Sequence, residues 1–411
     1  MVIRSSSSQS VAPDDARFGK AEAPVREPTS TPGGVSSRQQ DPTSAEHPVP
    51  RRPIRLALVS RGDPLTPYLH RSLRRRYPIA AEVDVELTGS RRALVAAATF
   101  RPGRSTWAEA YMKSNLGFRF RSELARQHLR GVSFDAAFQT HALFEADPSR
   151  SLMYIDCTYF QAASSWPAWT PHGGRSHRAW IEAETAAYRR ALHLFAFTDV
   201  ARDSLVNDYG VDPARVSTVG VGANFDTMPS LRSKPTGPPT IAFVGKDFTR
   251  KGGWQLLEAF AAIRDQIPEA RLRIVGTQIP TAVPPGVEIV GLLKDRAMVE
   301  EVYRESHVFC LPSLFDPGPL VVLEAMALGV PCVLSGSASR HVKEIVDDGG
   351  GGLVVVAGDV EGLFQALLEL LMSPDLAESI GTEARRRVAE RFTWDAVVDR
   401  MAPVLESVVG A

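Results

Sequence analysis

The chain has 411 residues, 47 basic against 47 acidic side chains, and an apolar content of 44%. That length exceeds one ordinary core, so two domains are expected. Zero net charge argues against a nucleic-acid partner, and no uninterrupted apolar run is long enough to span a bilayer.

Residues 1–53 are rich in Ser, Pro, Gln and Gly. Such a composition buries too little apolar surface to offset ordering entropy, so it reads as a disordered tail. It contains no apolar segment of secretory type. The three cysteines, Cys157, Cys310 and Cys332, form no C-x-x-C pair. Together these features predict a reduced, cytoplasmic protein.

Order is predicted from Ile54. Ile54–Val59 reads as a buried strand, Leu65–Arg76 as a helix and Val83–Leu87 as a second strand. Trp107–Tyr111 and Ser122–Leu129 read as helical, then Ala136–Phe138 and Leu152–Ile155 as strands. Ala179–Leu192 is a helix, Leu194–Phe197 a strand and Val200–Tyr209 a helix. This alternation predicts a parallel, Rossmann-like domain over 54–230.

A Pro, Gly, Ser and Lys linker, 231–239, precedes a second alternation. Thr240–Val244, Leu272–Val275, Val287–Val290, Val308–Leu311 and Leu353–Val356 read as strands. Trp254–Arg264, Ala297–Arg304, Leu320–Leu328, Val360–Leu371 and Ala377–Glu390 read as helices. The second domain is predicted over 240–392, and 393–411 carries a last helix. By charge, residues 54–230 are mildly basic, with 22 Lys and Arg against 17 Asp and Glu; 231–411 hold 18 against 24.

The densest local signal is Cys310–Leu334, read as strand, loop, helix, strand. Ser313–Gly318 is turn chemistry, Pro319 suits a helix start, and Gly329 with Pro331 marks its end. Open α/β sheets bind ligands at such a strand's carboxyl end. Asp316 stands in the loop and Glu324 one turn inside the helix, on the face of Leu320. An Asp N-cap with a Glu on a wet helix edge accounts for the same pattern.

After Val244 the chain reads Gly245-Lys246-Asp247-Phe248-Thr249-Arg250-Lys251-Gly252-Gly253. Cations beside glycines at a strand's end suit a diphosphate. A solvated basic loop is the other reading. The spacing is not that of a Walker A loop. No Asp-x-Asp pair suggests a metal, and His172 and His177 lack a nearby acid or thiol at ligand spacing. His141 follows the Ala136–Phe138 strand, and Asp156 ends the Leu152–Ile155 strand as a turn cap or an acceptor contact.

Asp316 and Glu324, separated by seven residues, are followed by Ala325, Met326, Ala327, Gly329 and Pro331. The run resembles the donor-site signature of retaining glycosyltransferase family 4. The resemblance implies a GT-B fold: two Rossmann-like domains facing each other across a cleft, the last helix crossing back to the first from about Phe392-Thr393-Trp394. It implies a hexose transferred from a nucleotide-diphosphate sugar to a hydroxyl acceptor, with retention of configuration and with neither metal nor cofactor. Lys251 before Gly252 matches the family's Lys; the place of its Arg falls to Lys246 or Arg250. Asp316 would meet the donor sugar, the N–H groups of Gly318 and Leu320 the sugar and phosphates, Glu324 the ribose, and His141 the donor sugar. Val219–Asp226 resembles the segment before the linker, and Ser339–Gly352 a later one containing Glu344. The family's glycine-rich loop after the first strand is absent, since Ser60-Arg61-Gly62-Asp63-Pro64 stands there. His70, Arg71, Arg74, Arg75 and Arg76 form either a solvated helix face or a peripheral contact with an anionic membrane. The rival reading is a binding or scaffolding protein of the same fold without turnover.

Overall fold

The computed structural model describes residues 52–62, 66–170, 173–279, 282–336, 345–346 and 350–410. Nearly all of the predicted tail, together with His172 and Glu344, lies outside the described residues.

The first half runs β1 (Leu56–Ser60), α1 (Thr66–Arg76), β2 (Ile79–Asp84), α2 (Gly89–Ala98), α3 (Arg104–Met112) and α4 (Asn115–Leu129). It continues with β3 (Ala136–Thr140), β4 (Ser151–Ile155), α5 (Tyr159–Ser165), α6 (Gly174–Arg190), β5 (His193–Ala196), α7 (Asp199–Asn207) and β6 (Val216–Thr218). The strands form one parallel sheet in the order β2-β1-β3-β4-β5-β6. Every residue of β1, β3, β4 and β5 is buried, as strands covered on both faces must be.

The second half runs β7 (Thr240–Val244), α8 (Gly253–Gln266), β8 (Arg271–Val275), β9 (Val287–Gly291), α9 (Arg296–Arg304), β10 (Val308–Leu311) and α10 (Leu320–Ala327). Then come β11 (Cys332–Gly336), β12 (Leu353–Val356), α11 (Val360–Met372), α12 (Pro374–Arg391) and α13 (Trp394–Val409). Its parallel sheet has the order β12-β11-β10-β7-β8-β9. Strand order reverses between β1 and β3 in one sheet and between β7 and β10 in the other. Those two switch points are where an open α/β sheet leaves a crevice at its carboxyl edge.

Several expected bounds shift. The second strand is Ile79–Asp84, not Val83–Leu87; it pairs with β1 from Leu56 to Ser60, and only Val85 beyond it bonds back to Ser60 O at 2.9 Å. The helix α2 was not expected, because it buries Val95 alone and has no periodic apolar face to read. The helix α6 starts five residues before the expected Ala179.

The last helix crosses back onto α1. Trp394, 4% exposed, packs edge-on to Tyr154 of β4 and donates Nε1–H to Asn224 Oδ1 at 3.2 Å. A Cβ at Gly222 would stand 2.6 Å from the Trp394 ring, so glycine is required for that approach. Arg400 Nε–H donates to Val219 O at 2.7 Å. One apolar cluster runs from β1 and β3 through α13 to β7 and β10.

Candidate active site

The loops after β7 and β10 flank the switch of the second sheet and are bound to each other. Leu314 N–H donates to Arg250 O at 2.9 Å, and Arg250 Nη1–H to Phe315 O at 2.8 Å. Gly252 has φ +73° at the start of α8, and a Cβ there would lie 1.9 Å from Pro312 O. No other residue fits where these two loops touch. Asp247 Oδ1 accepts from Arg250 N–H at 3.1 Å and closes the turn that presents the cations.

Lys251 and Asp316 meet across this junction in a hydrogen-bonded ion pair, with side chains 12% and 6% exposed. Burial pulls the Lys251 ammonium below its ordinary pKa, and the Asp316 charge opposes that pull. Asp316 therefore does not cap α10. Its Oδ1 accepts from Gly318 N–H at 3.3 Å, an Asx turn within the loop. Pro319, at φ −79° and ψ 72°, then forms an inverse γ-turn that brings Leu320 N–H to Gly318 O at 2.9 Å. The two N–H groups expected to meet a donor thus have partners inside the protein.

Lys246 and Arg250 have separate places. Lys246 is exposed. Arg250 is 8% exposed, with its guanidinium 4.7 Å from the Trp169 ring centre and Nε–H 3.3 Å from Asp247 Oδ2. Trp169 belongs to the first half, in a short turn at Pro167–Trp169, and its ring is also edge-on to Phe315 at 5.7 Å. It joins the two halves, and only the Trp and Pro richness of 166–169 signals it in the sequence.

Glu324 is 2% exposed and does not look freely into a crevice. Arg296 Nη1–H reaches its Oε1 at 2.9 Å and Tyr303 O–H its Oε2 at 3.2 Å. Burial raises the Glu324 pKa, against the pull of Arg296. Both partners come from α9, and local sequence gives no sign of them.

In the first half His141 follows β3 at the switch between β1 and β3. It has φ +62°, and among the described residues no other non-glycine has positive φ. Gln139, fully buried, holds that conformation by donating to the carbonyls of His141 and Phe144 at 2.9 and 2.8 Å. His141 Nδ1 is 2.9 Å from Asp156 Oδ1. Burial pushes the Asp156 carboxyl up, but the His141 charge and hydrogen bond and the Cys157 N–H outweigh it and hold it low. His141, Asp156, Lys113, Trp169 and Glu184 line one cavity of about 270 Å³. Among the described residues no three of His, Cys, Asp and Glu are grouped to hold a metal ion.

Residues 238–373, which carry both loops of the second switch point, match the family model "Glycosyl transferases group 1". This segment is a group 1 glycosyltransferase domain. The chain is also similar to the MMP alpha-(1->4)-mannosyltransferase of Mycolicibacterium hassiacum, at 26% identity over 60% of this chain and 61% of the relative. The chain thus spans less than two thirds of that relative's length. Sucrose-phosphate synthase from Thermosynechococcus elongatus superposes with a TM-score of 0.64 at 16% identity, over 86% of this chain and 99% of that one. HepE of Anabaena, solved in complex with UDP, superposes with a TM-score of 0.57 at 13% identity, over 86% and 100%. The fold around the glycosyltransferase domain is GT-B.

The arginines of α1 are engaged in ion pairs. Arg75 and Arg76 bind Asp395 and Asp399 of α13, both at 2.6 Å, Arg71 binds Asp226, and Arg74 binds Glu82. His70 is 5% exposed. This face clasps the last helix.

Proposed function

We propose that the protein is a hexosyltransferase. It moves a hexose from a nucleotide-diphosphate sugar to a hydroxyl acceptor, with retention of configuration and without a metal. The observation that carries this reading is the Lys251–Asp316 pair, set across the second switch point inside the glycosyltransferase domain. In the reaction the bond from the anomeric carbon to the diphosphate breaks, a bond to the acceptor oxygen forms, and the acceptor's hydroxyl proton passes to an oxygen of the departing diphosphate. The departing diphosphate takes up negative charge, which Lys251 with Arg250 or Lys246 would neutralise. Asp316 would hold hydroxyls of the sugar. Glu324 has acceptor capacity left beyond its two bonds, and a ribose diol could use it. His141 would face the sugar from the other half. HepE's complex with UDP supports a nucleotide ligand for this fold.

A peripheral contact with an anionic membrane belongs to the same reading, but α1 does not supply it, since its arginines already bind acids. One observation favours a second reading. Lys251 and Asp316 neutralise each other, and the Gly318 and Leu320 N–H groups turn inward. That suits a protein which holds a nucleotide-sugar without turnover.

The test is a screen of nucleotide-diphosphate sugars for nucleotide release, with and without acceptor and with and without EDTA. Release that survives EDTA supports transfer without a metal, and loss of release in EDTA would overturn that part. Tight nucleotide binding with no sugar released from any donor would establish the second reading.

A further inference from the structure

We infer that the corner between α2 and α3 is a docking surface for an anionic lipid bilayer, which deepens the membrane part of the reading above. From Leu87 to Ala108 the sequence contains Arg91, Arg92, Arg101 and Arg104 and not one Asp or Glu. The adjoining acids are Glu86 and Glu109. Arg91 pairs with Glu123 of α4 at 3.8 Å, which leaves Arg92, Arg101 and Arg104 as the charge this corner presents; on α1 every arginine has an acidic partner.

The same corner exposes apolar side chains beside the charge. The helix α2 buries Val95 alone. Leu94 is 53% exposed and Phe100 61% exposed. Arg92, Arg101 and Arg104 are exposed as well. Phe100 is not a loose side chain: it stands edge-on to Trp107 at 5.5 Å, and the Trp107 indole N–H donates to Ala96 O at 3.0 Å. The corner is therefore stapled from behind while Phe100 points away from the core.

Exposed aromatic and aliphatic groups among arginines, with no acid between them, match the two demands of a bilayer surface. The apolar groups enter the boundary of the acyl region, and the arginines meet lipid phosphates. A nucleic acid would use the arginines and leave Leu94 and Phe100 without a role. The helix α3 carries this corner at one end and, at the other, Glu109 and Met112, which line the cavity of His141 and Asp156. A docked protein would thus hold that cavity a few helical turns from the lipid headgroups.

The full chain is mixed with vesicles of phosphatidylcholine alone, or with a third of phosphatidylglycerol, and sedimented. Binding to the anionic vesicles only, weakened by added salt, is expected. Arg92→Glu with Arg104→Glu should lower that affinity about tenfold or more. Phe100→Ser should lower it by a smaller factor that salt does not change. Arg74→Glu on α1 should leave it unaltered. Unchanged binding in the Arg92/Arg104 variant would overturn the proposal. So would equal binding to neutral vesicles, no vesicle binding at all, or a preference for duplex DNA that Phe100→Ser leaves intact. Calorimetric titration of each variant with UDP shows whether the folded nucleotide site persists. Vesicle binding is read without turnover, so a failure here is separate from a failure of hexosyl transfer.

Discussion

Lys251 and Asp316 are each other's counter-ion across the loops that flank β7 and β10. A diphosphate and a sugar would each have to share one partner of this pair.

Asp316→Asn is expected to separate binding from turnover. The change leaves a nearly buried ammonium without its partner, at a cost of roughly 3 kcal/mol in stability. It also removes the group that competes with phosphate for Lys251. Nucleoside diphosphate affinity should therefore hold or rise, while donor turnover falls about tenfold or more. Calorimetry and melting curves, with and without the nucleotide, check both halves. A loss of nucleotide affinity as large as that of Lys251→Met would show that Asp316 serves the nucleotide and not the sugar.

Glu184 should make stability fall as pH rises. Burial raises its pKa from 4.5 to about 7, against hydrogen bonds donated by the hydroxyls of Tyr209 and Tyr188. Between those two values the folded chain keeps a proton that the unfolded chain has released. Stability is thus greatest below the lower value and declines through the window, by roughly 3 kcal/mol if the whole shift is expressed. Glu184→Gln lacks the decline. The melting advantage of the wild type over the variant should shrink from pH 5 to pH 8; a constant difference would exclude this linkage.

His141 combines an unusual backbone with a candidate chemical role, and two substitutions separate them. Asn tolerates positive φ, whereas Val does not, at a cost on the order of 1–3 kcal/mol. His141→Asn should melt near the wild type and His141→Val well below it. Both should lose donor turnover by about a hundredfold if the imidazole meets the sugar. Full turnover in the Asn variant would remove His141 from the reacting centre.

The hold of α13 on the first half should come from its tryptophan and not from its ion pairs. Arg75 and Asp395 are 47% and 56% exposed, so their pair contributes less than about 1 kcal/mol. Asp395→Ala should be mild and salt-sensitive. Trp394→Ala should cost about 3–5 kcal/mol, since it empties a packed site and strands Asn224. Urea unfolding of the two variants measures both; a larger loss for Asp395→Ala would reverse the ranking.

What the sequence made legible was local. Pro, Gly and Asp punctuate the stretch after β10 so sharply that strand, loop and helix could be placed from residue types alone. Lys251 and Asp316 were visible as candidates on the same ground, but their pairing was not, because 65 residues separate them. Residue spacing alone points Glu324 toward a crevice, since its partners Arg296 and Tyr303 arrive from another helix. The α1 arginines looked like a free surface for a similar reason: Asp395 and Asp399 stand more than 300 residues away. Trp169 shows in the sequence only as local composition, because a short turn has no periodicity to reveal its direction.

The clasp between α1 and α13 also sets a timetable. Ser72 and Asp395, which bond across it, are 323 positions apart. A ribosome has made the whole first sheet, and then the whole second one, before the residue that covers Tyr154 exists. The first half must wait in an unfinished state, its Trp394 seat open, for the time it takes to translate the second. Slowing synthesis within the second half should therefore leave nascent chains open to protease near Gly220–Asp226 until α13 is released.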